Sequence, residues 1–84
     1  MAEFNSLKRE KQQMPEYIRE ALEVNDLLED YNSRPPYQRN DYLSWISRAK
    51  RPETRRKRLH QMLAELHEGG IYMNMDHPPS RKEP

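Results

Sequence analysis

From Pro36 to Gly70 the chain reads PYQRNDYLSWISRAKRPETRRKRLHQMLAELHEGG, and this stretch decides the fold. It predicts two helices hinged at Arg51-Pro52. Pro36 suits a first helical position, where the missing N–H is not needed. Tyr42, Trp45, Ile46 and Ala49 then recur at i, i+3, i+4 and i+7, with Leu43 on the flank. The buried face is therefore the one opposite Arg39, Ser44, Ser47 and Arg48. Pro52 forces this helix to stop near Lys50-Arg51. Pro52-Glu53-Thr54 opens the next helix in the same manner, its apolar stripe runs Leu59, Met62, Leu63 and Leu66, and Gly69 falls at the C-terminal cap.

Outward from this pair, Met14-Pro15-Glu16 predicts the start of an earlier helix. Its stripe is Tyr17, Ala21, Val24, Leu28 and Tyr31, widened by Ile18 and Leu22. Asn25-Asp26 interrupts the helix formers, so one bent helix and two short ones fit equally well, and Asn32-Ser33-Arg34-Pro35-Pro36 ends the segment. Residues 1–13 carry no apolar period and are expected to form a disordered tail. Ile71 to Met75 is too short and isolated to make a sheet alone. Ile71 and Tyr72 are placed to lie back over the helices, and a flexible tail is expected from 73 to 84. The expectation is an all-α domain over 14–72, a small bundle of three to four short helices with disordered termini. Its predicted core is Leu28, Tyr42, Trp45, Ile46, Leu59, Met62, Leu63 and Leu66.

Composition narrows the function classes. With 84 residues, 33% hydrophobic and 35% charged, there is room for one core and no second. A core of this size rarely supplies more than roughly 3–5 kcal/mol. No cysteine is present, which removes thiol catalysis, thiolate metal sites and disulfides. The first residues form no apolar run of signal-peptide length, and no apolar run approaches the roughly 18 residues that span a bilayer, so a soluble, cytoplasmic chain without membrane insertion is expected. The net charge of +1 hides an asymmetry: residues 1–31 carry four Lys/Arg against eight Asp/Glu, residues 32–60 nine against two, and residues 61–84 two against four. The basic middle can attract an anionic partner or dock against the acidic first third.

The run Asn40 to Leu66 also resembles the signature of the bacteriocin-protection, YdeI or OmpD-associated family (the OmdA-type domain). That family's Tyr-Leu/Val/Ile-x-Trp-Ile helix matches Tyr42-Leu43-Ser44-Trp45-Ile46. Its Ala-Lys-x-Pro-Glu-Thr-Arg hinge matches Ala49-Lys50-Arg51-Pro52-Glu53-Thr54-Arg55, and its Arg-Arg-Ile/Leu helix matches Lys57-Arg58-Leu59. The resemblance implies a small all-helical domain, found alone or behind another domain, that is named for bacteriocin protection or porin association. It brings no catalytic residues, and the companion domain of larger members is not expected in this chain.

Several groups are candidates for chemistry. Lys50, Arg51, Arg55, Arg56 and Arg58, with Arg48 and Lys57, could contact phosphate or an acidic protein surface, while the ordinary explanation is a solvated face paired with Glu53, Asp41 or the acidic first helix. Arg55 lies four residues before Leu59 on the stripe and is expected to lie across Trp45 or pair with Asp41. Trp45 with Tyr31, Tyr37 and Tyr42 could form a stacking platform, but a tryptophan on a helical stripe is more often core, which leaves Tyr37 as the exposed aromatic. His60 and His67 stand about 10.5 Å apart along one helix and cannot share a metal. Met73, Met75 and His77 are too few for a copper site, and no metal or cofactor is expected. Ser44 and Ser47 lack a nucleophile elbow, and Asp41 and Glu53 lack a carboxylate partner, so no enzyme is expected. The sequence thus points to a non-enzymatic interaction module with a protein partner, its candidate contacts being Tyr37, Lys50, Arg51, Arg55, Arg56 and Arg58. A small nucleic-acid-binding protein using the Lys50 to Arg58 surface is the alternative.

Overall fold

The computed structural model describes residues 13–82, so all but Gln13 of the expected N-terminal tail lies outside the described residues, as do 83 and 84. Four helices follow one another: α1 (Glu16–Val24), α2 (Leu28–Asn32), α3 (Pro36–Arg48) and α4 (Pro52–Glu68). Two short strands, β1 (Ile71–Tyr72) and β2 (Met75–Asp76), and a 3-10 turn over Pro78–Ser80 complete the elements of the described residues. Pro36 and Pro52 each open a helix, with Pro35 and Arg51 in extended conformation before them.

The first segment is two short helices. Leu27 donates its N–H to Leu22 O at 2.8 Å and Asp26 donates to Glu23 O at 3.1 Å, while Asp26 holds φ at 59°. These two bonds and the left-handed residue make a Schellman motif, which ends α1 at Val24 and brings Leu27 onto Leu22. Both leucines are buried. The buried stripe of α1 is consequently Ile18 and Leu22, and Tyr17 and Val24, expected inside, are exposed at 41% and 79%. Leu27 takes the core position that the periodicity assigned to Leu28, which is half-buried.

The core comprises Ile18, Leu22, Leu27, Tyr31, Tyr42, Leu43, Ile46, Met62 and Leu66. Of the predicted core, Tyr42, Ile46, Met62 and Leu66 are fully enclosed, whereas Leu28, Trp45, Leu59 and Leu63 pack against it half-buried. Helices α3 and α4 run antiparallel, joined from the hinge outward by Arg55 to Ala49 O, Arg58 to Trp45 O and Tyr42 to Glu65.

The fold is not strictly all-α. Strands β1 and β2 pair antiparallel, Ile71 opposite Asp76 and Tyr72 opposite Met75, around the two-residue turn Met73-Asn74. Both turn residues have positive φ, 51° and 67°, as a type I′ turn requires. The prediction failed because it treated Ile71 to Met75 as isolated. In fact the Glu65 carboxylate accepts the N–H of Met73 at 2.8 Å and of Asn74 at 2.9 Å, so α4 clamps the turn. Beyond the hairpin, where a flexible tail was expected from residue 73, the 3-10 turn is bonded back by Gly70 N–H to Ser80 O at 3.0 Å. Gly69 caps α4 as expected, at φ 77°, and a Cβ there would lie 2.7 Å from Lys82 Cγ and 3.0 Å from Ser80 O.

Candidate partner-binding site

The Arg51-Pro52 hinge gathers the basic residues at one end of the α3–α4 pair. Proline at the first position of α4 stops α3 before Lys50 and leaves Ala49 and Arg51 extended, so Lys50 and Arg51 lie in the exposed turn between the helices. Lys50, Arg51, Arg56 and Lys57 are all exposed. Among the described residues none of the four forms an ion pair. Several of the expected intramolecular partners are engaged elsewhere, and Glu53 forms no ion pair among the described residues. Arg19 takes Glu16 at 2.6 Å and Glu23 at 3.0 Å, Lys82 takes Asp30 at 3.2 Å, and Asp41 accepts the Tyr72 hydroxyl at 2.7 Å. Among the described residues, the four cations are thus exposed without a paired carboxylate.

A shallow groove of about 280 Å³ lies beside these cations, lined by Tyr17, Pro52, Arg55, Arg56 and Leu59. Ile18 and Leu22 carry the buried face of α1, and Tyr17, exposed at 41%, faces the groove with residues from the first two turns of α4. The periodicity predicts Tyr17 inside, whereas Ile18 and Leu22 take the buried face of α1.

Arg58, and not Arg55, takes the place over Trp45. Arg58 lies over the Trp45 ring, 5.2 Å from the centroid, and donates to Trp45 O at 2.6 Å. Arg55 donates to Ala49 O at 3.3 Å and borders the groove. In an antiparallel pair the residue facing Trp45 lies further along α4 than Arg55, which sits beside the hinge. Arg58 is thereby a brace for the helix pair, and Arg55 keeps donors for a ligand.

Tyr37 belongs to a different end of the molecule. It lies about 17 Å along α3 from Arg48 at 1.5 Å per residue, exposed at 49%, its ring edge-on to Tyr72 with centroids 5.9 Å apart. The structure thus divides the predicted contacts into a basic hinge and an aromatic end. Beneath the aromatic end lies a polar network that the sequence did not announce. Arg34, almost fully buried, donates to Gln38 Oε1 at 3.1 Å and Glu65 O at 3.2 Å, and buried Glu65 also accepts from Tyr42 and from Gln61 Nε2 at 3.1 Å. Burial, reinforced by the Glu65 carboxylate, pushes the Tyr42 phenol well above its ordinary range, and Arg34 opposes this weakly. Burial likewise raises Tyr31, against the charge of Arg39. These groups have few exposed atoms, and their chemistry is that of support.

Among the described residues no three His, Asp or Glu side chains stand close enough to hold a metal ion, and no helix is long and apolar enough to cross a membrane. The sequence model for OmdA, described as bacteriocin-protection, YdeI or OmpD-associated, matches residues 11–69. No curated protein and no solved structure gives a significant match.

Proposed function

Since the chain belongs to the OmdA family, whose model covers more than two thirds of its 84 residues, we propose that it is a cytosolic, non-enzymatic interaction module of the bacteriocin-protection type that docks an acidic protein partner on its basic hinge. The observation carrying this reading is the row Lys50, Arg51, Arg56 and Lys57, exposed and without ion pairs among the described residues. Like charges held together in a small domain repel one another, and an anionic partner relieves that repulsion. The half-buried Arg58 and Trp45 hold the two helices, so the cations keep their spacing before a partner arrives. Nucleic acid competes for the same cations and predicts a steeper loss of affinity with salt.

The test compares a labelled Glu-rich polypeptide with labelled mixed-sequence DNA by fluorescence anisotropy, using wild type and the Lys50→Glu/Arg56→Glu double variant. Binding of the polypeptide that weakens with salt and is lost in the variant, with helicity unchanged, supports the reading. Tighter, Arg56-dependent binding of DNA would transfer the hinge to nucleic acid, and no binding of either would remove it as a site. The tolerance role predicts that cells lacking the protein change in bacteriocin sensitivity and regain it with wild type but not with the double variant.

A further inference from the structure

Building on the hinge reading, we propose that the partner presents a large aliphatic side chain flanked by carboxylates, and that this side chain seats in the Tyr17–Pro52–Leu59 groove while the carboxylates take Arg55 and Arg56. The groove combines both chemistries within one short span. Pro52 and Leu59 are seven residues apart on α4, about 10.5 Å along its axis, which is the reach of about three extended residues. One apolar side chain and its two neighbours therefore fill it. Tyr17 supplies the opposite wall from α1, and its exposed ring leaves apolar surface in water beside two guanidinium groups. A purely acidic segment would pair with the cations and leave that wall wet, whereas an aliphatic anchor covers it.

Charge complementarity selects the flanks. Arg55 is half-buried with one donor spent on Ala49 O, and Arg56 is exposed beside it. Two adjacent guanidinium groups at the rim of an apolar wall match carboxylates on either side of the anchor, each able to bind through paired N–H donors. A phosphodiester strand offers charge at this spacing but no aliphatic side chain, so the groove itself favours protein.

The experiment titrates the full chain with three probes, followed by amide shifts in two-dimensional NMR: a short peptide with Leu between Glu residues, the same peptide with Ser replacing Leu, and a short DNA duplex. Wild type is compared with Tyr17→Ser, an exposed position whose change leaves the core intact, and with Arg56→Glu. The inference expects shifts centred on residues 52–59 and Tyr17. Losing the Leu anchor should weaken binding about tenfold, as should Tyr17→Ser, with little further loss when both are combined. Equal affinity for the Leu and Ser peptides, still lost in Arg56→Glu, would overturn the anchor while leaving the hinge reading standing. Failure of both peptides would overturn the hinge reading with it. DNA binding more tightly than the Leu peptide would overturn a protein occupant.

Discussion

The hydroxyl of Tyr42 donates to the carboxylate of Glu65, joining the middle of α3 to the last turn of α4 in the closed interior. The same carboxylate receives the N–H groups of Met73 and Asn74 and the amide of Gln61. Four donors converge on one group, and two of them come from the hairpin turn.

Glu65→Gln should therefore loosen the hairpin first. A carboxamide has one acceptor oxygen, and its NH2 would meet a backbone N–H or the Tyr42 hydroxyl. Leaving such buried donors unpaired costs about 1–3 kcal/mol, a large share of the stability of so small a domain. The expected outcome is a lower urea midpoint and a selective loss of hydrogen-exchange protection at the Met73 and Asn74 amides. Equal protection in variant and wild type would show that the hairpin stands without the clamp.

Alkaline titration should expose Tyr42. Its phenol is raised from an ordinary value of 10.0, so above that pH the unfolded chain releases a proton which the folded chain retains. The sign follows: this contribution to stability is complete below pH 10 and is lost as pH climbs beyond it. Tyr31 adds in the same direction. Phenolate absorbance should show these tyrosines ionising together with loss of helicity. In Tyr42→Phe the alkaline fall in stability should be shallower. An unchanged profile in that variant would detach the phenol from the transition.

Substitutions along α3 should rank by burial. Ile46 is fully enclosed, so Ile46→Ala should cost about 2–5 kcal/mol. Trp45 is half-buried under Arg58, so Trp45→Ala should cost about 2 kcal/mol, below the range for a buried tryptophan. Arg58→Ala should shift Trp45 fluorescence to the red at a cost of about 1 kcal/mol, the worth of a cation–π contact and a carbonyl bond. Thermal melts check the order, and a Trp45→Ala cost exceeding that of Ile46→Ala would contradict the packing.

Helix pairing was legible wherever a local rule and the tertiary packing agreed. Pro36, Pro52 and Gly69 mark their boundaries because proline and glycine act on the backbone directly, and Tyr42, Ile46, Met62 and Leu66 hold one face at helical period. What escaped depends on contacts distant in sequence. Glu65 reads as one more solvated glutamate until Met73 and Asn74 turn beneath it, and Arg34 reads as a loop residue until Gln38 and Glu65 O enclose it. The basic hinge was visible as charge, whereas the groove was not, since its wall comes from Tyr17 on another helix. Assigning Arg55 to Trp45 failed for the same reason: the antiparallel offset, which brings Arg58 there, is a property of the pair.

Asp26 holds a left-handed backbone, and its replacement tests the turn that brings Leu27 into the core. At φ 59° an L side chain is strained, by about 1–2 kcal/mol for a typical residue and less for aspartate, which bonds locally. Its charge also lies at the negative end of α1, unfavourable by about 0.3–1 kcal/mol. Asp26→Gly removes both penalties, against about 0.4–1 kcal/mol of added freedom in the unfolded chain. The balance predicts a gain of about 0.5 kcal/mol, hence a Tm higher by about 2–4 °C for a domain of this size. Asp26→Ala keeps the strained φ and should gain less. Because Leu27 enters the core through this turn, Asp26→Gly should leave the exposure of Tyr17, and binding at the hinge, unchanged. A lower Tm in Asp26→Gly than in Asp26→Ala would mean that the left-handed turn does not close α1.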